Sequence, residues 1–130
     1  MFEGNRLMTF VPVSNAEKAR AFYRDRLGLR LVSEDPFALV FDVEGVMLRA
    51  TLVSGFTPQP FTVLGWQVQD ARAMANNMTG GGIVFERYPG LSQDKDGLWQ
   101  APGGALIGWF KDPDGNLLSI TQLPSVGQAS

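Results

Sequence analysis

Whatever chemistry this chain does, it does without histidine or cysteine, because the sequence contains neither. That removes imidazole bases, thiolate nucleophiles, disulfides and zinc–sulfur centres. Arg49 is the residue of greatest chemical interest. Strand alternation groups it with Met47 and Thr51, where its planar fork of donors could anchor a carboxylate, a phosphate or a polarised carbonyl. The competing readings are a structural ion pair with Glu44 or Asp42, or a register that leaves Arg49 exposed. Ser119 and Thr121 share one face of the last strand. As nucleophiles they would need a general base, and no histidine exists to serve, so hydrogen-bonding wall residues are the better reading. Trp66, Trp99 and Trp109 invite stacking of a flat aromatic ligand. Alternation sends Trp66 toward the helix side with Leu64 and Val68. The register of Trp109 stays open. Trp99 falls in a long loop, as a candidate lid or a subunit contact.

Two motifs are set aside. Asp112-Pro113-Asp114-Gly115-Asn116 is too short for a calcium loop and lacks its bidentate Glu, so it reads as a turn. Gly80–Gly82 ends a helix, since neither a helix nor a Lys-Ser/Thr pair follows as a phosphate loop requires.

The elements that must position these residues occur twice. Asp42–Arg49 is echoed seventy positions later by Asp112–Ser119, each an acidic tight turn set by Gly45 or Gly115 that leads into an apolar strand. Val13-Ser14-Asn15-Ala16 is echoed by Val68-Gln69-Asp70-Ala71, each a strand running into a helix cap. In the first copy the patterns predict a strand over 7–13, a helix capped by Asn15 and closed by Gly28, and strands over 29–33, 38–43 and 46–53. Ala19, Phe22, Tyr23 and Leu27 recur at helical spacing there, and Arg24, Asp25 and Arg26 read as its solvated face. Residues 54–60 form a linker. The second copy predicts a strand over 61–68, then a helix capped by Asp70 with Ala71, Met74, Ala75 and Met78 on one face. Strands follow over 83–87, 105–111 and 117–122, with a polar loop over 88–104 and a frayed tail after Pro124. The expectation is α+β: one domain over 1–130 with modules at about 6–54 and 61–123, paired curved sheets around a shared pocket, and helices outside.

Composition narrows the function. A net charge of −2 argues against general binding to a phosphate backbone, so no nucleic acid is expected. No apolar run of spanning length and no basic-then-apolar leader is present, which predicts no membrane partner and a cytoplasmic location.

Ala21-Phe22-Tyr23-Arg24-Asp25-Arg26-Leu27-Gly28-Leu29 and Trp109-Phe110-Lys111-Asp112-Pro113-Asp114-Gly115-Asn116 resemble the first helix and last turn of the vicinal oxygen chelate superfamily. That group holds glyoxalase I, extradiol dioxygenases, fosfomycin-resistance enzymes and bleomycin-resistance proteins. The resemblance runs from about Leu7 to Gln122. It implies four metal-ligand positions, which fall here on Met8, Arg49, Val63 and Ser119. Met8 and Val63 each stand seven residues before a helix cap, and Arg49 and Ser119 each stand four after a turn glycine. A divalent ion at such a place wants imidazole or carboxylate donors. These residues supply a thioether, a guanidinium, an alkyl group and a hydroxyl. At a separation of about 4 Å and an effective dielectric of about 20, a guanidinium and a divalent cation repel by roughly 8 kcal/mol. The expectation is therefore no metal and no cofactor, which disfavours glyoxalase I or extradiol dioxygenase activity.

The resemblance also implies a pocket lined by Arg49, Ser119, Met8, Met47, Thr121, Val63, Phe10 and Leu117, with Trp99 over it. The first reading is a protein that binds or sequesters a small organic ligand, as the bleomycin-resistance proteins do. The alternative is a metal-independent lyase or isomerase acting on a carbonyl compound. A dimeric scaffold with a filled interior is the third. Binding without turnover is placed ahead of catalysis, and a homodimer is expected under every reading.

Overall fold

The computed structural model describes residues 1–125, so the expected frayed tail after Pro124 lies largely outside the described residues. Contacts divide the chain into one unit spanning Met1–Pro58 and a second that begins at Gln59. The architecture is α+β, with one four-stranded mixed sheet in each unit.

In the first unit, β1 (Met8–Val13) leads to α1 (Ala16–Ala19), a π-helical segment (Arg20–Arg26), β2 (Arg30–Glu34), β3 (Ala38–Val43) and β4 (Val46–Leu52). Asn15 starts the helix as expected, its Oδ1 accepting the Lys18 N–H at 2.9 Å. The helix then widens. The Leu27 N–H reaches back five residues to the Phe22 carbonyl at 2.9 Å, and Gly28 ends the segment at φ +74°. Tyr23 is wholly buried, with its ring 6.0 Å from that of Phe41 on β3. The Arg20 guanidinium grips Glu34 of β2 through two hydrogen bonds, at 3.1 and 2.6 Å.

The sheet order is β1-β4-β3-β2, with β1 parallel to β4 and the other pairs antiparallel. Val11, Val13, Leu39, Phe41, Leu48 and Ala50 form the buried face, on the side of Tyr23. A bulge in β2 turns Val32 outward. Between β3 and β4 the loop is only Glu44-Gly45, with φ values of +49° and +83°. Two positive φ angles match the right-handed strand twist, and Gly45 supplies the second without strain.

In the second unit, β5 (Thr62–Gln67) is followed by α2 (Ala71–Gly80), β6 (Trp99–Gln100), β7 (Leu106–Lys111) and β8 (Leu117–Gln122), in sheet order β5-β8-β7-β6. Asp70 caps α2 by accepting the Ala73 N–H at 3.0 Å, and Gln122 of β8 accepts the Ala71 N–H at 2.8 Å. One strand thus satisfies an orphan donor of the helix that packs on it. Ala71, Ala75 and Met78 are buried as expected, whereas Met74 is 38 % exposed.

Two expectations fail here. Residues 83–87 are not a strand: along β7 their backbone makes an isolated bridge, Phe85 to Phe110, and a bond from the Glu86 N–H to the Trp109 carbonyl at 2.7 Å. The fourth strand comes instead from inside the expected loop, as β6. The turn echo is also inexact. β7 and β8 are joined by five residues, 112–116, organised by the buried Asp112 carboxylate. Its Oδ1 accepts the Asp114 and Asn116 N–H groups, each at 2.9 Å, and its Oδ2 accepts the Asn116 side-chain amide at 2.8 Å.

Candidate functional site

Each sheet has one face packed on its helix and one turned away from it. The predicted residues sit on the faces turned away. In the first unit, register places Phe10 and Val40 on either side of Arg49, Met8 beside Met47, and Pro12 and Ala38 on either side of Thr51. Met8, Phe10 and Met47 are 45 %, 57 % and 39 % exposed, so this face presents apolar surface around the arginine. Arg49 itself is half-buried.

Its guanidinium has no ion-pair or hydrogen-bond partner among the described residues. The ion-pair reading is therefore overturned. Asp42 faces Arg30 at 3.7 Å, and Glu44 occupies the exposed hairpin turn. A guanidinium without a protein counter-charge keeps its planar fork of donors available to an anionic or carbonyl group.

In the second unit, the equivalent row across three strands is Gly65, Ser119 and Trp109. Ser119 is 7 % exposed, and among the described residues nothing hydrogen-bonds its hydroxyl. A side chain cannot be added freely at position 65, where a Cβ would stand 2.7 Å from the Ser119 Oγ. Glycine in a strand interior weakens the strand, so this one is explained by the close approach it permits. Thr121 lies in the next row, between Gln67 and Ile107. Val63 falls at a register shift between Thr62 and Leu64, half-buried.

The tryptophans separate as alternation allows. Trp66 opposes Ile120 and lies 6.4 Å from Phe110, on the helix side as expected. Trp109 opposes Ser119, which settles its register on the helix-free face. Trp99 is a strand residue of β6 rather than part of a covering loop, opposite Ile107 and with its ring 6.1 Å from that of Trp109. Tyr88 meets Trp109 edge-on at 5.6 Å. Burial raises the Tyr88 pKa, and the nearby Glu86 carboxylate adds to the rise.

The segment leading to β6 is tied down rather than loose. Gln93 donates to the Glu86 and Gly97 carbonyls, at 2.8 and 2.9 Å, and accepts the Tyr88 N–H at 2.7 Å. Arg72 of α2 reaches Asp94 at 2.8 Å and Asp96 at 2.6 Å. Arg87 donates to the Asp94 and Lys95 carbonyls. Burial pushes the Asp94 carboxyl up, but the hydrogen bonds from Arg72 and from the Leu98 and Asp96 N–H groups outweigh it and hold it below its ordinary value.

Sequence reasoning missed Gly65, Tyr88 and the side taken by Trp109. Gly65 carried a usable signal, a glycine inside an otherwise apolar strand. Tyr88 carried none. Two shallow hollows lie elsewhere, one bounded by Arg87, Lys95 and Asp96 and the other by Arg30 and Asp42. Arg87 and Asp96 are already engaged by protein partners, and Arg30 pairs with Asp42. Among the described residues, no three His, Cys, Asp or Glu side chains converge as a metal centre would need.

The family model of the Glyoxalase/Bleomycin resistance protein/Dioxygenase superfamily matches residues 5–120. The chain belongs to this superfamily. Among solved structures, a superfamily member from Sphaerobacter thermophilus DSM 20745 is similar at 22 % identity, with a TM-score of 0.73 over 94 % of this chain and 99 % of that one. TnmS3, an antibiotic binding protein from Streptomyces sp. CB03234, is 22 % identical, with a TM-score of 0.69 over 95 % and 99 % of the two chains. A lactoylglutathione lyase from Agrobacterium tumefaciens is 17 % identical, with a TM-score of 0.70 over 92 % and 93 %. At such identities the likeness concerns the fold. No curated protein matches the chain.

Proposed function

We propose that this superfamily member binds and sequesters a small organic molecule without a metal ion, anchored by Arg49 on the helix-free face of the first sheet. The observation that carries the reading is Arg49, a half-buried residue whose guanidinium has no protein partner among the described residues and whose neighbours are Met8, Phe10, Met47 and Val40. It is suited to a carboxylate, phosphate or carbonyl on an otherwise apolar ligand.

The metal common in the superfamily does not fit the donors present. The four corresponding positions hold Met8, Arg49, Val63 and Ser119. A soft thioether, a fixed cation, an alkyl group and a neutral hydroxyl make no site for a hard or borderline ion. An antibiotic-binding neighbour on the same fold supports binding without turnover.

The alternative, a metal-independent lyase or isomerase acting on a carbonyl compound, needs a carboxyl beside Arg49 with its pKa raised toward neutrality. The carboxyls whose pKa values are displaced, Asp25, Glu34 and Asp94, are all displaced downward. Asp42, on the Arg49 face, is paired with Arg30. This ranks sequestration first.

Native mass spectrometry of the protein purified from its own host tests the reading. The expected result is a homodimer that retains a small organic molecule and no stoichiometric metal. A tightly held divalent ion that is lost on Ser119→Ala would overturn it. No helix among the described residues is long and apolar enough to cross a membrane.

A further inference from the structure

Sulfur in this chain is carried by methionine alone, since the sequence has no cysteine. Two of the five methionines, Met8 on β1 and Met47 on β4, stand directly opposite each other in the sheet register. Cross-strand partners point to the same side of a sheet, so both thioethers share the helix-free face with Arg49. Both are exposed, as is Met74 on α2, whereas Met78 is buried. A thioether has no proton to lose, so its reaction with a peroxide is governed by access rather than by a pKa.

Position beside Arg49 sets this pair apart from Met74. Met47 and Arg49 are alternate residues of β4, about 7 Å apart along one face, and Met8 lies diagonally across from Arg49 on β1. Both methionine and arginine side chains are long and flexible enough to meet over that gap. The guanidinium has no protein partner among the described residues, and its flanking neighbours Phe10 and Val40 carry no side-chain acceptor. Asp42, opposite Met47, is paired with Arg30 on the edge strand β2. A thioether is only a weak acceptor and leaves the guanidinium as it is. A sulfoxide oxygen is strongly polar, and with a cationic donor it forms a charge-assisted hydrogen bond.

We infer that Met8 and Met47 form a modification site: a peroxide converts either thioether to its sulfoxide, and the new oxygen accepts from the Arg49 guanidinium and occupies the donors a ligand would use. The step balances with the peroxide as oxidant. Sulfur supplies the electron pair of the new S–O bond, the O–O bond breaks, and the second oxygen leaves as water when the peroxide is hydrogen peroxide. A methionine sulfoxide reductase removes the oxygen again, so the modification is reversible. Oxidation thus disables the Arg49 anchor without altering Arg49. As a control on ligand release the inference rests on the sequestration reading; as a site of modification it does not.

The test treats the full chain, dialysed free of small molecules, with hydrogen peroxide and locates sulfoxides by peptide mass spectrometry. Arg49 is then labelled with phenylglyoxal, an arginine-selective reagent, with the exposed Arg87 as internal reference. Met8, Met47 and Met74 are expected to oxidise within about threefold of one another, and Met78 about tenfold more slowly. Oxidation should lower Arg49 labelling about tenfold and leave Arg87 within roughly twofold. Reductase treatment of the same sample should restore it. The double variant Met8→Leu/Met47→Leu, close in volume, should label alike with and without peroxide, whereas Met74→Leu should leave the fall in place. Met47→Gln sets a carbonyl of similar reach beside Arg49 and should lower its labelling without any oxidant. Arg49 labelling unmoved by oxidation, a fall that persists in the double leucine variant, or Met8 and Met47 oxidising as slowly as Met78 would overturn the inference. A host-retained molecule, together with labelling unmoved by oxidation, sinks the modification site and spares the sequestration reading. Labelling that falls as expected, with nothing retained from the host, does the reverse.

Discussion

The same three-strand row is filled in opposite ways by the two units. In the first it reads Phe10–Arg49–Val40, and in the second Gly65–Ser119–Trp109. The first row places a permanent charge between an exposed aromatic ring and an aliphatic side chain. The second places a neutral hydroxyl between bare backbone and an indole. Backbone register is repeated closely enough that Arg49 and Ser119 occupy equivalent places, although their chemistry shares nothing. A repeated frame therefore specifies where a contact can be made and leaves its kind to the side chains.

The turns differ in the same spirit. Glu44-Gly45 closes its hairpin by backbone conformation alone, whereas 112–116 is closed by the buried Asp112 carboxylate. The largest effect is expected there. Asp112→Ala strips the acceptor from two N–H groups and an amide, and should destabilise the protein by about 3 kcal/mol in chemical denaturation. A loss below about 1 kcal/mol would mean that water replaces the carboxylate and that the two turns are alike after all.

Next in size is the charge itself. Arg49→Met should weaken a host-retained anionic ligand about tenfold while leaving folding stability unchanged or slightly raised, because an uncompensated cation is removed. Lost stability in the variant would show that Arg49 supports the fold rather than a ligand. A smaller effect is expected at Glu44, which holds a positive φ without being glycine. Glu44→Gly should stabilise the protein by about 1 kcal/mol on thermal unfolding.

The smallest concerns the segment that delivers Trp99. Arg72→Ala should cost less than about 1 kcal/mol, since the ion pairs are partly exposed, but should loosen the Trp99–Trp109 contact in tryptophan fluorescence. Asp94 sharpens this with pH. Its carboxyl is held below its ordinary value, so its contribution is present above about pH 4 and disappears as pH falls through the lower folded value. The fluorescence of wild-type protein should therefore change at more acid pH than an ordinary Asp would give, and Arg72→Ala should move that change upward.

Much of this was legible in the residues. Asn15 and Asp70 marked both helix starts, Gly28 marked a helix exit, and alternation placed Arg49 with Met47 and Thr51 and Trp66 on the helix side. These are local facts, since a cap, a turn or a period of two involves only near neighbours in the chain. The missed strand shows where that reach ends. Residues 83–87 have strand-like composition, yet β7 is bordered there by a single bridge, and the two-residue strand at Trp99 takes the remaining edge.

What a linear reading supplies, then, is the list of elements, their caps, and which side chains share a face within one strand. Which strands lie beside which, and therefore that Gly65 meets Ser119, that Trp109 stands over the same row, and that Tyr88 and Trp99 flank it, comes from pairings across gaps of tens of residues. Those pairings are set by hydrogen bonds and packing between distant segments, and a one-residue slip would have sent Trp109 to the opposite face.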